Sequence, residues 1–273
     1  MKSKNEFKNG WWLQFKRPLA VKSGVLLLCL AAASSTAQTY FVLHNFIISE
    51  GDEPTVNVVL SNATLYGTTY QGGCCGLGTV FKVNTDGTGF TVFKHYTGSD
   101  GSYPLGLVLS GTTLYGTTDE GGVSNCGTVF KLNTDGNGYT VLKQFTNSNE
   151  GLYPNGDLVL SGTTLYGTTE GGVSNCGTIF KLSTDGSGYT VLKRFTNSSK
   201  WVYPNGGLVL SGTTLYGTTD SGGVSNCGTV FKLNTDGSGY TAVKQFTNTS
   251  NGRLMMAVPV VMETEAQSAT SAP

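Results

Sequence analysis

The chain has 273 residues, of which 39 are Gly and only 12% are Asp, Glu, Lys or Arg, against about 25% in an average soluble protein. Lys plus Arg and Asp plus Glu both number 17, so the formal net charge is zero. A neutral chain without a basic cluster gives no electrostatic basis for nucleic-acid binding. The aromatic content of 11% excludes wholesale disorder, and glycine without a three-residue period excludes collagen.

The first 37 residues have the organisation of a secretory signal peptide. Basic residues precede a short apolar run over 24–33, and small residues follow at Ser35, Thr36 and Ala37. An N-terminal membrane anchor is the alternative, but a membrane span needs about 20 apolar residues and this run is shorter. Cleavage here removes six basic residues and one acidic residue, which leaves a net charge of −5. We therefore expect a secreted mature chain without a membrane span.

The rest of the chain is dominated by one repeat that occurs four times. The block Leu-Tyr-Gly-Thr-Thr recurs at spacings of 49, 51 and 50 residues, and it begins at Leu65, Leu114, Leu165 and Leu215. Gly-Thr-Val/Ile-Phe-Lys and Asp-Gly-x-Gly-Tyr/Phe-Thr follow it in every copy. These blocks predict a repeat domain over 38–252 and a degenerate strand with a disordered tail over 253–273. The predicted units are 56–97, 105–147, 156–197 and 206–248.

Each unit divides into four short β-type segments separated by turn residues. In the third unit the segments are Leu158–Ser161, Thr164–Thr169, Gly177–Ser183 and Tyr189–Thr196. The glycines of the intervening turns supply the positive φ angles that tight hairpins need. Four antiparallel strands in about 50 residues predict an all-β fold, a β-propeller of four four-stranded repeats. A β-helix is the alternative, although its coils are much shorter.

One additional N-terminal strand is expected, because Tyr40–Phe46 aligns with the fourth segment of a unit, such as Tyr189–Phe195. In a ring of four blades this strand would compete with Tyr240–Phe246 for the same outer position. The strand count therefore leaves ring closure open. An incomplete ring would expose an unclosed repeat edge, through which two copies of the chain could self-associate.

The topology predicts a binding face. In an up-and-down blade, the second turn and the link to the next blade share one end, which we call the long-loop face. It collects Asp119–Cys126, Asn147–Asp157 and their counterparts, and long loops on a rigid scaffold commonly carry binding residues. The candidate binding residues are Tyr103, Tyr153, Trp201, Tyr203, Asn155 and Asn205. The aromatic rings among them suit stacking on sugars or anchoring a protein. Alternatively, each Tyr packs between blades and the following Pro directs the next strand.

Four acidic residues follow the second strands on the same face: Asp119, Glu120, Glu170 and Asp220. Such carboxylates suit glycoside hydrolysis or cation binding, although solvated loop acids are commoner. The sequence has no nucleophile elbow, phosphate-binding loop or His cluster, so we predict no catalytic residue, metal site or cofactor. The favoured hypothesis is an exported, non-enzymatic scaffold that binds an extracellular protein or polysaccharide. A carbohydrate-active propeller that uses these acids is the alternative.

One repeat position holds a cysteine in three of the units: Cys126, Cys176 and Cys227. The first unit has Leu77 there and the pair Cys74-Cys75 just upstream. Equivalent residues of adjacent blades should lie beyond the ~7 Å Cα separation that a disulfide tolerates, and the third strand is not innermost. Buried thiols are therefore favoured over a metal site, and pairing that involves Cys74 or Cys75 stays open.

The Asp-Gly-x-Gly turns allow two interpretations. They are similar to a shortened calcium loop, but each turn offers one carboxylate and one Asn or Ser, whereas calcium takes six or more oxygen ligands. An Asx-type turn that closes a hairpin is favoured.

The complete set of blocks resembles the bacterial Gloeo-Verruco (GloVer) tandem repeat over roughly residues 56–250. The fourth unit carries it as Leu-Tyr-Gly-Thr-Thr, Gly-Gly and Cys-Gly-Thr-Val-Phe-Lys-Leu-Asn-Thr-Asp-Gly-Ser-Gly-Tyr-Thr. The strand order and the Gly-Gly after the second strand are also similar to kelch blades. The resemblance implies an exported tandem-repeat protein; family members carry C-terminal anchors, whereas 253–273 shows no apolar helix. It implies no activity, cofactor or catalytic residue.

Overall fold

The computed structural model describes residues 40–55, 57–196 and 202–247. The predicted signal peptide, the predicted tail over 253–273 and Trp201 lie outside these residues. The strands all belong to the second of two compact units, Phe41–Pro273. Within the described ranges there is no helix with the length and hydropathy of a membrane span.

The strands form four antiparallel sheets, one for each repeat unit. Sheet 1 contains β1 (Asp52–Pro54), β2 (Val59–Ser61), β3 (Thr64–Gln71), β4 (Thr79–Asn84) and β5 (Thr91–His95). Sheet 2 contains β6 (Ser102–Ser110), β7 (Thr113–Glu120), β8 (Thr128–Asn133) and β9 (Thr140–Gln144). Sheet 3 contains β10 (Leu152–Pro154), β11 (Val159–Ser161), β12 (Thr164–Gly171), β13 (Thr178–Ser183) and β14 (Thr190–Arg194). Sheet 4 contains β15 (Val209–Ser211), β16 (Thr214–Thr219), β17 (Thr229–Asn234) and β18 (Thr241–Gln245). The all-β, propeller-like architecture predicted from the repeats is confirmed.

The first strand of a sheet reaches further than the sequence predicted. In sheet 3, β11 pairs with the start of β12, while β10 pairs with its end through Leu152 opposite Gly171 and Pro154 opposite Thr169. The long loop therefore ends at Gly151, and the Tyr-Pro pair belongs to the sheet. Proline is tolerated here because the first strand is an edge strand, and one of its sides has no ladder to complete.

The tight turns between the third and fourth strands are Asx-type turns, as favoured from the sequence. The Asp185 carboxylate accepts hydrogen bonds from the backbone N–H of Ser187 at 2.9 Å and from its hydroxyl at 2.7 Å. Gly186 and Gly188 adopt φ angles of 90° and 67°, a region that L side chains avoid. These contacts lower the pKa of Asp185, the hydroxyl hydrogen bond most of all.

The hydrophobic core lies between successive sheets, and each interface uses the same repeat positions. Between sheets 2 and 3 the buried residues are Tyr115, Val129 and Phe145 against Leu158, Leu165, Phe180 and Leu182. Between sheets 1 and 2 they are Tyr66, Val80 and Tyr96 against Leu107, Leu114, Phe130 and Leu132. Between sheets 3 and 4 they are Tyr166, Ile179 and Phe195 against Leu208, Leu215, Phe231 and Leu233. A unit therefore completes its core only with the help of its neighbours.

A proline-on-glycine contact fixes the distance between successive units. A Cβ built on Gly127 would lie 2.4 Å from Cδ of Pro154 in the next unit, closer than two carbon atoms can approach. The N–H of Tyr153 donates to the carbonyl of Cys126 at 2.9 Å and ties the same two units. The contact recurs between Pro104 and Gly78 and between Pro204 and Gly177. All three positions therefore require glycine for close packing, and Gly78 and Gly127 also have the positive φ angles of 91° and 88° that favour it.

The repeated cysteine position lies in the same interfaces. Cys176 has no exposed surface and belongs to the cluster between sheets 3 and 4. Cys126 packs against the cluster between sheets 2 and 3, and its thiol donates to the carbonyl of Ser124 at 3.1 Å. These thiols act as small core side chains. In the described part of the chain, no group of three or more His, Cys, Asp or Glu residues is arranged to hold a metal ion.

Residues 40–46 differ from the expected strand. They belong to no strand, yet Leu43 lies over Gly87 as Leu142 lies over Gly186. The ring of Phe46 contacts Phe81 with centroids 4.9 Å apart, as Phe145 contacts Phe180 at 5.5 Å. The side chains of this segment therefore pack as those of a fourth strand do, but its backbone does not pair with a neighbouring strand, so the predicted strand is wrong. A fourth strand needs the third strand of its own blade, and the described residues before β1 contain none.

Candidate functional site

The register of each sheet brings the start of the first strand beside the end of the second strand. In sheet 2, Ser102 lies opposite Glu120 and Pro104 lies opposite Thr118, so Tyr103 is held next to the acids that follow Thr-Thr. The residues that meet in this way form what we call the tyrosine–carboxylate cluster: Tyr70, Tyr103, Tyr153, Tyr203, Asp119, Glu120, Glu170 and Asp220.

One end of the cluster joins units 1 and 2. The Tyr70 hydroxyl donates to Oδ2 of Asp119 at 2.9 Å, and its ring stacks on Tyr103 with centroids 4.9 Å apart and planes 24° from parallel. Burial raises the pKa of the Asp119 carboxyl, the hydrogen bond from Tyr70 opposes that rise, and the charge of Glu120 adds to it. A half-buried carboxylate thus sits beside two stacked rings.

The other acids continue the cluster through units 3 and 4. Partial burial raises the pKa of Glu170, and the negative charges of Asp119 and Asp220 raise it further. Burial also raises the pKa of the Tyr203 hydroxyl, with additional contributions from its hydrogen bond to Asp220 and from the charge of Glu170. Carboxylates from units 2 and 4 therefore influence the carboxyl group of Glu170 in unit 3.

Two of the tyrosines have strained backbones. Tyr103 and Tyr153 both have φ of 58°, and a residue in this region costs about 1–3 kcal/mol. The preceding units hold them there, because their N–H groups donate to the carbonyls of Leu77 and Cys126, both at 2.9 Å. The side chain of Tyr153 remains 37% exposed. Tyr153 thus joins two units through its backbone while its ring remains exposed to solvent.

Asn155 and Asn205, which the sequence suggested as binding residues, do not join the cluster. The Asn155 side chain donates to the carbonyl of Pro204 at 3.4 Å, and its N–H donates to the carbonyl of Thr168 at 3.0 Å. The N–H of Asn205 makes the same contact with Thr218 at 3.0 Å. Asn155 therefore ties units 3 and 4 together. Trp201 falls outside the described residues.

Sequence reasoning missed Tyr70, although a signal was present. Tyr70 occupies the repeat position that holds Asp119, Glu170 and Asp220 in the other units. A comparison of the units position by position would have placed it with the acids.

Sequence reasoning also missed a second convergence point, where the chain segments that carry the first strands of different units meet. The Asn57 side chain donates to Oδ2 of Asp157, 100 residues away. Burial raises the pKa of Asp157, while the hydrogen bonds from Asn57 and from the N–H of Gly106 oppose that rise. Three units therefore contribute to one half-buried carboxyl group.

The repeats described above match the model of the Gloeobacter/Verrucomicrobia repeat over residues 31–211 and again over 164–264. The chain belongs to this repeat family. No curated protein matches it. Membership of the Gloeobacter/Verrucomicrobia repeat family confirms the resemblance seen in the sequence.

Several solved structures are similar to this family member at low identity. A chain of a nidogen/laminin complex is 18% identical over 71% of this chain and 64% of its own length, with a TM-score of 0.48. The extracellular domain of the putative one-component system BT4673 from B. thetaiotaomicron is 13% identical over 69% of this chain and 22% of its own, with a TM-score of 0.49. A gluconolactonase from Xanthomonas campestris is 16% identical over 64% and 56%, with a TM-score of 0.44. The chain spans less than two thirds of each, and at this similarity no activity transfers to it.

Proposed function

We propose that this chain is an exported, non-enzymatic scaffold whose tyrosine–carboxylate cluster binds an extracellular polysaccharide. The observation that carries the proposal is the stacked pair Tyr70 and Tyr103 beside the Asp119 carboxylate. Aromatic faces offer apolar area to the C–H surface of a sugar ring, and carboxylates accept hydrogen bonds from its hydroxyl groups. The clustered negative charge favours neutral or basic sugars over acidic ones.

A glycan array probed with the full chain tests this proposal. We expect binding to a neutral or basic glycan, and at least a tenfold loss of affinity on Tyr153→Ala, because that ring is exposed in the cluster. Asn137→Ala is the matched control, since Asn137 is exposed on a tight turn at the opposite end of the sheet. Equal losses in both variants, or binding of proteins but of no glycan, would contradict the proposal.

A carbohydrate-active enzyme is the second candidate. The raised pKa of Glu170 and of Asp119 favours it, because a carboxyl group that acts as a general acid needs a pKa above its ordinary value. A hydrolysis assay on the glycans that bind separates the two candidates. Turnover that disappears in Glu170→Gln would establish the enzyme, and binding without turnover would support the scaffold.

Self-association is the third candidate, and the side of sheet 4 that no other described sheet covers favours it. Phe246 is 46% exposed and Val243 is 57% exposed. The equivalent aromatic residues Phe145 and Phe195 are 0% and 4% exposed, because a following sheet covers them. A second copy would cover the open side of sheet 4. Light scattering should then give an assembly that Phe246→Ser dissociates; a monomer at all concentrations would contradict this candidate.

A further inference from the structure

Cys74 and Cys75 lie side by side at the tip of the loop between β3 and β4, on the long-loop face. Both are exposed free thiols, and their Sγ atoms are 2.8 Å apart. In an extended strand, adjacent side chains point to opposite sides. Here a turn over these residues brings the two sulfur atoms together.

The loop that carries the pair is held by the same type of contact in other units. The N–H of Cys74 donates to Nδ1 of His95 at 3.2 Å. The corresponding N–H groups donate to glutamine side chains at the equivalent position: Val123 to Gln144 and Val224 to Gln245, both at 2.7 Å. Units 2 and 4 therefore build this loop with Val-Ser where unit 1 has Cys-Cys. The fold needs neither thiol.

The pair is also separated from the other described cysteines. Cys126 and Cys176 belong to two different inter-sheet clusters, and the thiol of Cys227 donates to the carbonyl of Ser225 in its own loop at 3.2 Å. Each of the three occupies the repeat position that is Leu77 in unit 1. Cys74 and Cys75 are thus left to react with each other.

We propose that Cys74 and Cys75 form a reversible redox site, which a low-molecular-weight disulfide oxidises to a disulfide between the two. One protein thiolate attacks the small disulfide, expels one thiolate and forms a mixed disulfide. The second protein thiol loses its proton to water, attacks the protein sulfur of the mixed disulfide and expels the second small thiolate. The pair gives up two electrons, and the small disulfide is reduced to two thiols. The site does not depend on glycan binding.

The contact between the thiols raises the pKa of Cys75, chiefly through its hydrogen bond with Cys74. Because the two sulfur atoms are 2.8 Å apart, either thiolate can make the first attack, and the other then closes the ring.

The disulfide should be readily reduced again. Adjacent Cα atoms are about 3.8 Å apart across a trans peptide, whereas ordinary disulfides join Cα atoms about 4.4–6.8 Å apart. A bond between neighbours is therefore strained, and strained, exposed disulfides are the labile ones. The loop should thus switch between dithiol and disulfide over a range of redox poise in which buried structural disulfides remain oxidised.

Titration of the full chain with mixtures of reduced and oxidised glutathione, followed by peptide mass spectrometry, tests this site. We expect the peptide with both residues to lose two hydrogen atoms in oxidising mixtures and to regain them in reducing ones. Cys75→Ser should stop the reaction at a mixed disulfide of Cys74 with glutathione. The variant with Cys74→Val and Cys75→Ser carries the Val-Ser pair of units 2 and 4, and it should show neither product while it keeps the same circular dichroism.

Three results would overturn the proposal: a stable mixed disulfide on the wild-type pair, disulfides between chains, or a pair that stays reduced in every mixture. Each would show that the loop does not hold the two sulfur atoms in a geometry from which the ring closes.

Discussion

At the scale of single residues, the four units act as internal controls for one another. Tyr96 is fully buried, and no polar atom among the described residues lies in hydrogen-bonding geometry with its hydroxyl. The same repeat position is phenylalanine at Phe145 and Phe195. A buried hydroxyl without a partner costs stability.

We therefore expect Tyr96→Phe to raise the free energy of unfolding by about 1 kcal/mol. Chemical denaturation with circular dichroism measures the change. Phe145→Tyr is the reverse control and should lower the free energy of unfolding by a similar amount. A loss of stability in Tyr96→Phe would show that the hydroxyl is satisfied in solution.

The Asp157 carboxyl predicts a pH effect. Its raised pKa means that the folded chain holds this proton more tightly than the unfolded chain. The stabilising contribution is complete below the ordinary Asp pKa of about 3.9 and is lost as the pH rises through the folded value. We expect Asp157→Asn to remove this part of the pH dependence.

The measurement is denaturation of both proteins between pH 4 and 7. The difference in free energy of unfolding, wild type minus Asp157→Asn, should become more negative as the pH rises, because only the wild type must then bury a charge. A difference that is constant with pH would place Asp157 in water.

At the scale of strands and turns, the proline-on-glycine contact allows a matched comparison. Gly127 and Gly228 have φ of 88° and 91°, and in both a Cβ would lie 2.5 Å from a threonine carbonyl oxygen of the same unit. Only Gly127 is additionally covered by the next unit's Pro154. We expect Gly127→Ala to reduce the free energy of unfolding by about 1–3 kcal/mol more than Gly228→Ala. Equal effects would mean that backbone strain, rather than contact between units, decides both.

The strands themselves were largely predictable, because alternating β-type residues and turn glycines are local signals. The segment Thr164–Thr169 was found as β12 over Thr164–Gly171. The residues that contact each other across units were harder to predict from the sequence. Asn57 and Asp157 are 100 residues apart, and no local pattern shows which units meet at one point. The segment Tyr40–Phe46 was misread because side-chain alignment does not reveal whether a pairing strand is present.

At the scale of the whole molecule, the position of a unit in the array decides what a residue contributes. Phe145 and Phe246 share one repeat position, but their exposed fractions are 0% and 46%. We expect Phe145→Ala to cost about 3–5 kcal/mol, the usual cost of removing a buried ring, and Phe246→Ala to cost less than about 1 kcal/mol. Thermal and chemical unfolding of the two variants measure this. Similar costs would show that sheet 4 is covered in solution, either by other residues of the chain or by a second copy.

The cysteine that units 2, 3 and 4 share provides a natural probe of local opening in each of these units. Cys126 and Cys176 each lie at one interface between sheets, and Cys227, the equivalent residue of unit 4, is partly exposed. A thiol reagent reaches a buried sulfur only when its surroundings open. The alkylation rate of each cysteine therefore measures how often its own part of the array opens. Among these three residues, Cys227 should react first and the fully buried Cys176 last. The order in which the units open can then be measured without introducing a new cysteine.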